Sequence, residues 1–348
     1  MINQPPNLTN LNWLNQVRTL ANAYTLRPPT QYVVEKLFAL PSLSICYGPP
    51  GSLKSMLLAD MAICVAGGIN WLSPAPCEPK PVSPFKVLQS PVIWVDFDNG
   101  QLICDGRFEA LGRQYGLPQD APFYYFSFPS PPLNATRPAE ILDLIELVNY
   151  YQAGLVIIEN LISIAGGRDE NQSEIMDVIT SLRLLAEKTK SAVVISTHLR
   201  KASGFKGNIG DSLRGYSGIN GAIDRGLLII REPGTEIVTI NSEKTRGVGI
   251  NPFGAELVYS HKPGTDDFET ARFFQIAVTG SVTDVDVEEQ VIATITLTPS
   301  LNKTKLIKEV KEFLKIGETR VEHIIKTMVH RGKIKETHGL NNSKLYNI

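Results

Sequence analysis

Over its first two thirds the chain alternates short apolar runs with amphipathic stretches of helical length. Tyr32–Phe38 and Ser42–Tyr47 read as strands, and Lys54–Ala66 as a helix apolar on every side, hence buried. Val92–Asp96, Phe123–Phe128, Leu155–Ile158 and Ala192–Ser196 are further strands. Gln101–Tyr115, Pro138–Tyr150 and Ser173–Lys188 are the helices between them, the last with Ile175, Val178, Ile179, Leu182 and Leu185 on one face. Strands separated by helices predict an α/β fold with a mostly parallel sheet covered on both sides. Leu227–Arg231, Ile237–Lys244 and Phe273–Val278 then follow as strands without helices, which predicts an antiparallel extension at one edge. Residues 73–91 hold six prolines and read as a loop.

The pattern changes near residue 285. Val287–Thr296, Lys303–Leu314 and Glu318–Arg331 read as three helices, the last stopped by Gly332. Two polar strands, Lys333–His338 and Lys344–Ile348, complete the outline of a C-terminal winged helix-turn-helix domain. The expected organisation is an arm over 1–30, a core over 31–280 and this domain over 285–348. Charge sharpens the division. Residues 301–348 carry 11 Lys and Arg against 5 Asp and Glu, so a net +6 sits on a body of −7 within a total of −1. Such asymmetry points to nucleic acid. Arg320, Lys326 and Arg331 on the third helix suit duplex DNA contact. Protein contact by the same module stays open.

Composition, at 43% hydrophobic and 20% charged, fits a soluble globular protein. No apolar run reaches the length of a membrane span. The start lacks the pattern of a signal peptide, so a cytoplasmic location is expected. Cys46, Cys64, Cys77 and Cys104 have no metal-ligand spacing and read as thiols in a reducing compartment.

The segment Gly48-Pro49-Pro50-Gly51-Ser52-Leu53-Lys54-Ser55 joins a strand to a helix. Consecutive backbone N–H groups in such a turn, with the positive helix end behind them, make an anion nest. Lys54 is expected at the β- and γ-phosphates of ATP and Ser55 on Mg²⁺. Leu53 departs from the usual G-x-x-x-x-G-K-[ST], where Gly stands. Glu159 ends one apolar strand and suits the metal. Asp96 and Asp98 end another, and strand alternation would put both on one side.

In this motif order the chain resembles the RecA-fold ATPases of the DnaB/RepA helicase group, over about residues 31–260, and most closely the RepA-like branch of plasmids, phages and mobile elements. The resemblance implies a RecA-like P-loop NTPase core and a homo-oligomer, expected to be a hexamer. It implies Asp98 in the place of a catalytic Glu and Glu159 in the place of a metal-associated Asp. His198 takes the place of the γ-phosphate sensor. Lys244 and Arg246, in Lys-Thr-Arg, take the place of a pair that reaches the neighbouring subunit's ATP. Arg168, Lys201, Lys206 and Arg214 lie in or beside segments expected to meet single-stranded DNA in a channel. The resemblance implies a helicase or translocase. An ATP-regulated DNA-binding protein, or a loader with weak hydrolysis, remains the alternative.

Overall fold

The computed structural model describes residues 16–75, 83–167, 175–198, 217–278, 284–314, 317–338 and 344–347. A short helix, α1 (Leu20–Tyr24), precedes a hairpin of β1 (Tyr32–Val34) and β2 (Phe38–Ala39). The single strand expected over Tyr32–Phe38 is therefore two, because Lys36 turns the chain at a φ of 62°. The core then runs β3 (Ser42–Gly48), α2 (Lys54–Gly67), β4 (Val92–Asp96), α3 (Gln101–Tyr115) and β5 (Phe123–Ser127). It continues with α4 (Pro138–Tyr151), β6 (Leu155–Glu159), α5 (Ile175–Thr189), β7 (Ala192–His198) and α6 (Ser217–Ala222). The strands β8 (Arg225–Arg231), β9 (Ile237–Thr245), β10 (Phe253–His261) and β11 (Phe268–Ile276) close it.

These strands form one sheet in the order β11-β10-β9-β8-β3-β7-β6-β4-β5. Pairing is parallel from β8 to β5 and antiparallel from β8 to β11. The parallel strands are buried on both faces, so alternation along them selects a layer rather than inside or outside. Leu155 and Ile157 join the core beneath α2 and α3, whereas Val156 and Ile158 join that beneath α4 and α5. In α2, 12 of 14 residues are buried, as its all-round apolar pattern predicts. The extension contains β10, which the sequence did not suggest. Gly254, Glu256 and His261 dilute its apolar residues.

The C-terminal part has its own small core of Val287, Leu306, Ile324, Met328, Tyr346 and their neighbours. Three helices, α7 (Asp284–Leu297), α8 (Lys303–Leu314) and α9 (Glu318–His330), pack there with a three-stranded antiparallel sheet. Its strands are β12 (Leu301–Asn302), β13 (Lys335–His338) and β14 (Lys344–Asn347). Among the described residues no helix is long and apolar enough to cross a membrane.

Candidate nucleotide site

The turn between β3 and α2 is shaped by two backbone requirements. Gly48 runs so close to β8 that a Cβ there would lie 2.1 Å from the Ile229 carbonyl oxygen. Leu53 stands at a φ of 61°, the left-handed conformation that glycine supplies elsewhere. For a non-glycine residue this conformation costs roughly 1–2 kcal/mol. Leu53 offsets this by packing against the α2 core. The departure from the motif thus keeps the loop's backbone path.

Lys54 is only 4% exposed, not solvated as a loop lysine would be. Its Nζ donates to the carbonyls of Gly48 at 3.1 Å and Pro49 at 3.2 Å, and lies 3.3 Å from His198 Nδ1. Burial lowers its pKa, against the pull of Glu159 and Asp98. The Ser55 hydroxyl donates to Glu159 Oε1 at 2.7 Å, and Ser196 donates to the same oxygen at 2.7 Å. Glu159 Oε2 is buried with no hydrogen-bond partner. Burial raises the Glu159 pKa to about 7, against those two hydroxyls, and the nearby Asp96 and Asp98 push the same way. A buried carboxylate with one oxygen unpartnered, beside a serine hydroxyl, fits a hard cation that takes its other ligands from phosphates and water. Among the described residues no cluster of three His, Cys, Asp or Glu is able to hold a metal alone.

Asp96 and Asp98 do not share a role, because β4 ends at Asp96 and alternation stops there. Asp96 is buried and accepts from Trp94 Nε1 and from the backbone of Asp98 and Asn99, so it builds the turn. Asp98 meets the neighbouring strand ends instead. Asn160 Nδ2 donates to its Oδ1, and His198 Nε2 lies 3.8 Å from its Oδ2. Sequence reasoning misses Asn160 and Ser196. Their signal is a polar residue where an apolar strand ends.

Lys244 and Arg246 lie at the opposite edge of the sheet. Thr245 pairs with Arg225 at the start of β8, whereas Arg231 at its end reaches Gly51 of the phosphate loop. The seven residues of β8 put about 20 Å between those edges. The expected alternation of Lys244 and Arg246 is also broken. The β8–β9 register shifts beside Lys244, and Arg246 lies just outside β9. Arg246 donates to the Gly221 carbonyl and lies 3.7 Å from Asp224, which already accepts from Arg183 at 2.6 Å. Lys244 makes no ion pair among the described residues.

Of the candidate DNA contacts, Arg168, Lys201, Lys206 and Arg214 lie outside the described residues. Arg320 falls in the first turn of α9. Lys326 is exposed on it, 4.0 Å from Glu322. Arg331 follows α9 and turns back to Glu288 of α7 at 3.7 Å.

The described cysteines Cys46, Cys64 and Cys104 are free and buried. Burial pushes all three thiols up, Cys104 to about 12, which keeps them inert. Cys77 lies outside the described residues.

A phosphate loop on the central strand, flanked by parallel strands on one side and antiparallel ones on the other, defines a RecA-fold ATPase of the DnaB/RepA helicase type. Residues 14–204 match the family described as an AAA domain, and the chain belongs to that family. Among solved structures, the ATPase domain of a helicase aligns at a TM-score of 0.47 and 12% identity, covering 62% of this chain and 81% of its own. The RadB recombinase aligns at a TM-score of 0.43 and 18% identity, covering 62% of this chain and 88% of its own. No curated protein matches the chain.

Proposed function

We propose that the chain is an ATP-hydrolysing DNA helicase or translocase that works as a homo-oligomer, a hexamer in its simplest closed form, in the replication of a plasmid, phage or other mobile element. The observation that carries this reading is the convergence of Lys54, Ser55, Glu159, Asp98 and His198 at the carboxyl edge of the parallel strands. The backbone of Gly48–Ser55 and the Lys54 ammonium bind the phosphates of ATP. Ser55 and Glu159 hold Mg²⁺, which neutralises phosphate charge when bound. Ser196 orients Glu159. Asp98 accepts the proton of the attacking water, held in place by Asn160, and His198 meets the γ-phosphate.

Lys244 and Arg246 serve a neighbour. A separation of about 20 Å exceeds the reach of an arginine side chain, so neither meets its own phosphate loop. Arg246 shares Asp224 with Arg183, so one carboxylate faces two cations and Arg246 is released easily. In this reading residues 1–30 are an arm and 31–280 the ATPase domain. Residues 285–348 form a winged-helix domain for duplex DNA, and the segments of Arg168, Lys201, Lys206 and Arg214 meet single-stranded DNA. The ATP-regulated binder is the second reading, favoured by Asp98 being one methylene shorter than the usual Glu.

ATP hydrolysis with and without single-stranded DNA separates the two. Lys54→Ala, Asp98→Asn and Arg246→Ala should each slow turnover by roughly a hundredfold or more. Mixing Lys54→Ala with Arg246→Ala subunits should return part of the activity, because only the mixture forms an interface with both residues intact. A wild-type chain that hydrolyses no ATP with any DNA overturns the motor reading in favour of the regulator.

A further inference from the structure

Asp98, Glu159 and His198 sit at the ends of β4, β6 and β7, on one side of the loop strand β3. A triphosphate with its γ end among them, running over Gly51–Lys54, sends its nucleoside to the other side, over β8. There a cavity of about 340 Å³ opens between the phosphate loop and the turn joining β8 to β9. Pro49, Pro50 and Gly51 line it on one side, and Arg231, Pro233 and Gly234 on the other. Its size falls within the range of small-molecule sites, about 300–1,000 Å³.

Arg231 is fixed in this cavity by all three guanidinium nitrogens. Nε donates to the Thr235 carbonyl at 2.7 Å, Nη2 to Glu236 Oε1 at 2.8 Å, and Nη1 to the Gly51 carbonyl at 3.4 Å. These bonds lie in the guanidinium plane and leave its face for stacking. The turn satisfies its own polar groups internally. Glu232 N–H donates to Ile237 O at 2.9 Å, and Glu232 O accepts from the Thr235 backbone and hydroxyl. Ile237 N–H donates to the Thr235 hydroxyl. What remains is an arginine plane, prolines, and the exposed Glu232 carboxylate at the rim. All four bases offer an N–H that such a carboxylate accepts.

We infer that this cavity is the nucleoside subsite, that Arg231 is its stacking surface, and that it accepts nucleoside triphosphates with little discrimination among bases. The inference rests on the phosphate-loop reading above. Discrimination needs buried polar groups that a wrong base leaves unpaired, and the cavity supplies none.

Direct binding to the full chain with Mg²⁺ tests it, using ATP, GTP, CTP, UTP and inorganic tripolyphosphate. The four nucleotides should bind within about threefold of one another and roughly tenfold more tightly than tripolyphosphate. Arg231→Ala and Arg231→Lys should bring the nucleotides to the level of tripolyphosphate and leave tripolyphosphate itself unchanged. A preference for one base of about thirtyfold or more overturns the lack of discrimination. Unchanged nucleotide affinity in both Arg231 variants overturns the subsite. So does an equal loss of tripolyphosphate in both, since Arg231 would then only brace the loop. Lys54→Ala should abolish binding of all five ligands. If it does not, the phosphate-loop reading fails, an outcome separate from the comparison among bases.

Discussion

Asp60 is a carboxylate deep in the helix that follows the phosphate loop, far from any phosphate. It accepts from Trp71 Nε1 and Tyr115 Oη, each at 2.9 Å, and from the Phe273 N–H at 3.0 Å. Burial nevertheless outweighs these three bonds and the nearby Arg272, and raises its pKa from 3.8 to about 7. Between those values the folded chain therefore holds a proton that the unfolded chain releases. The contribution to stability is fully present below the unfolded pKa and is lost as pH rises through the folded one. Thermal or denaturant midpoints should fall between about pH 4 and pH 7 more steeply in the wild type than in Asp60→Asn. Equal slopes in the two proteins would clear Asp60 of the effect. The sequence marks Asp60 only as a lone acid in an apolar helix, and its partner Phe273 lies 213 residues away. Lys54, Ser55, Glu159 and His198 are easier to assemble on paper, since each ends a strand or opens a helix. Arg231 escapes because its use depends on a cavity between two turns.

Among elements, the parallel strands and their helices were legible because period and length agree over each run. The hairpin at Lys36 and the strand β10 were not, because a positive φ and a diluted apolar pattern leave little trace in residue type. The tail is intermediate. Its helices read clearly from their apolar faces, but the pairing of Arg331 and Lys333 with Glu288 is a tertiary fact. That pairing shifts the expected DNA contact toward the exposed side chains of α9, including His323 and Lys326. Removing residues 284–348 should leave ATP affinity within about twofold, since the tail has its own core. It should weaken duplex binding and flatten the salt dependence by about 0.9 in log–log slope for each phosphate the shortened chain no longer neutralises. A truncated chain that binds duplex DNA with the same slope would assign the tail to protein contact.

At the scale of the molecule, the two ends of the large sheet differ. At β11 the outward amides are already taken. Phe273 N–H donates to Asp60, Gln275 N–H donates to Ser73 O at 2.9 Å, and Gln275 O accepts from Ala75 N–H at 3.1 Å. At the other end, β5 pairs with β4 alone among the described residues, and Tyr124 is exposed there. Amide hydrogen exchange should therefore be slow at Phe273 and Gln275, and fast at alternate residues of Phe123–Ser127. Equal protection at both ends would contradict this asymmetry. Natural sheets guard their edges against unwanted pairing, and here one edge is guarded by a buried acid and a tripeptide. The sheet has a finished end and an unfinished one. A strand supplied from outside has a single berth, beyond β5, and so the molecule has a built-in polarity for growth.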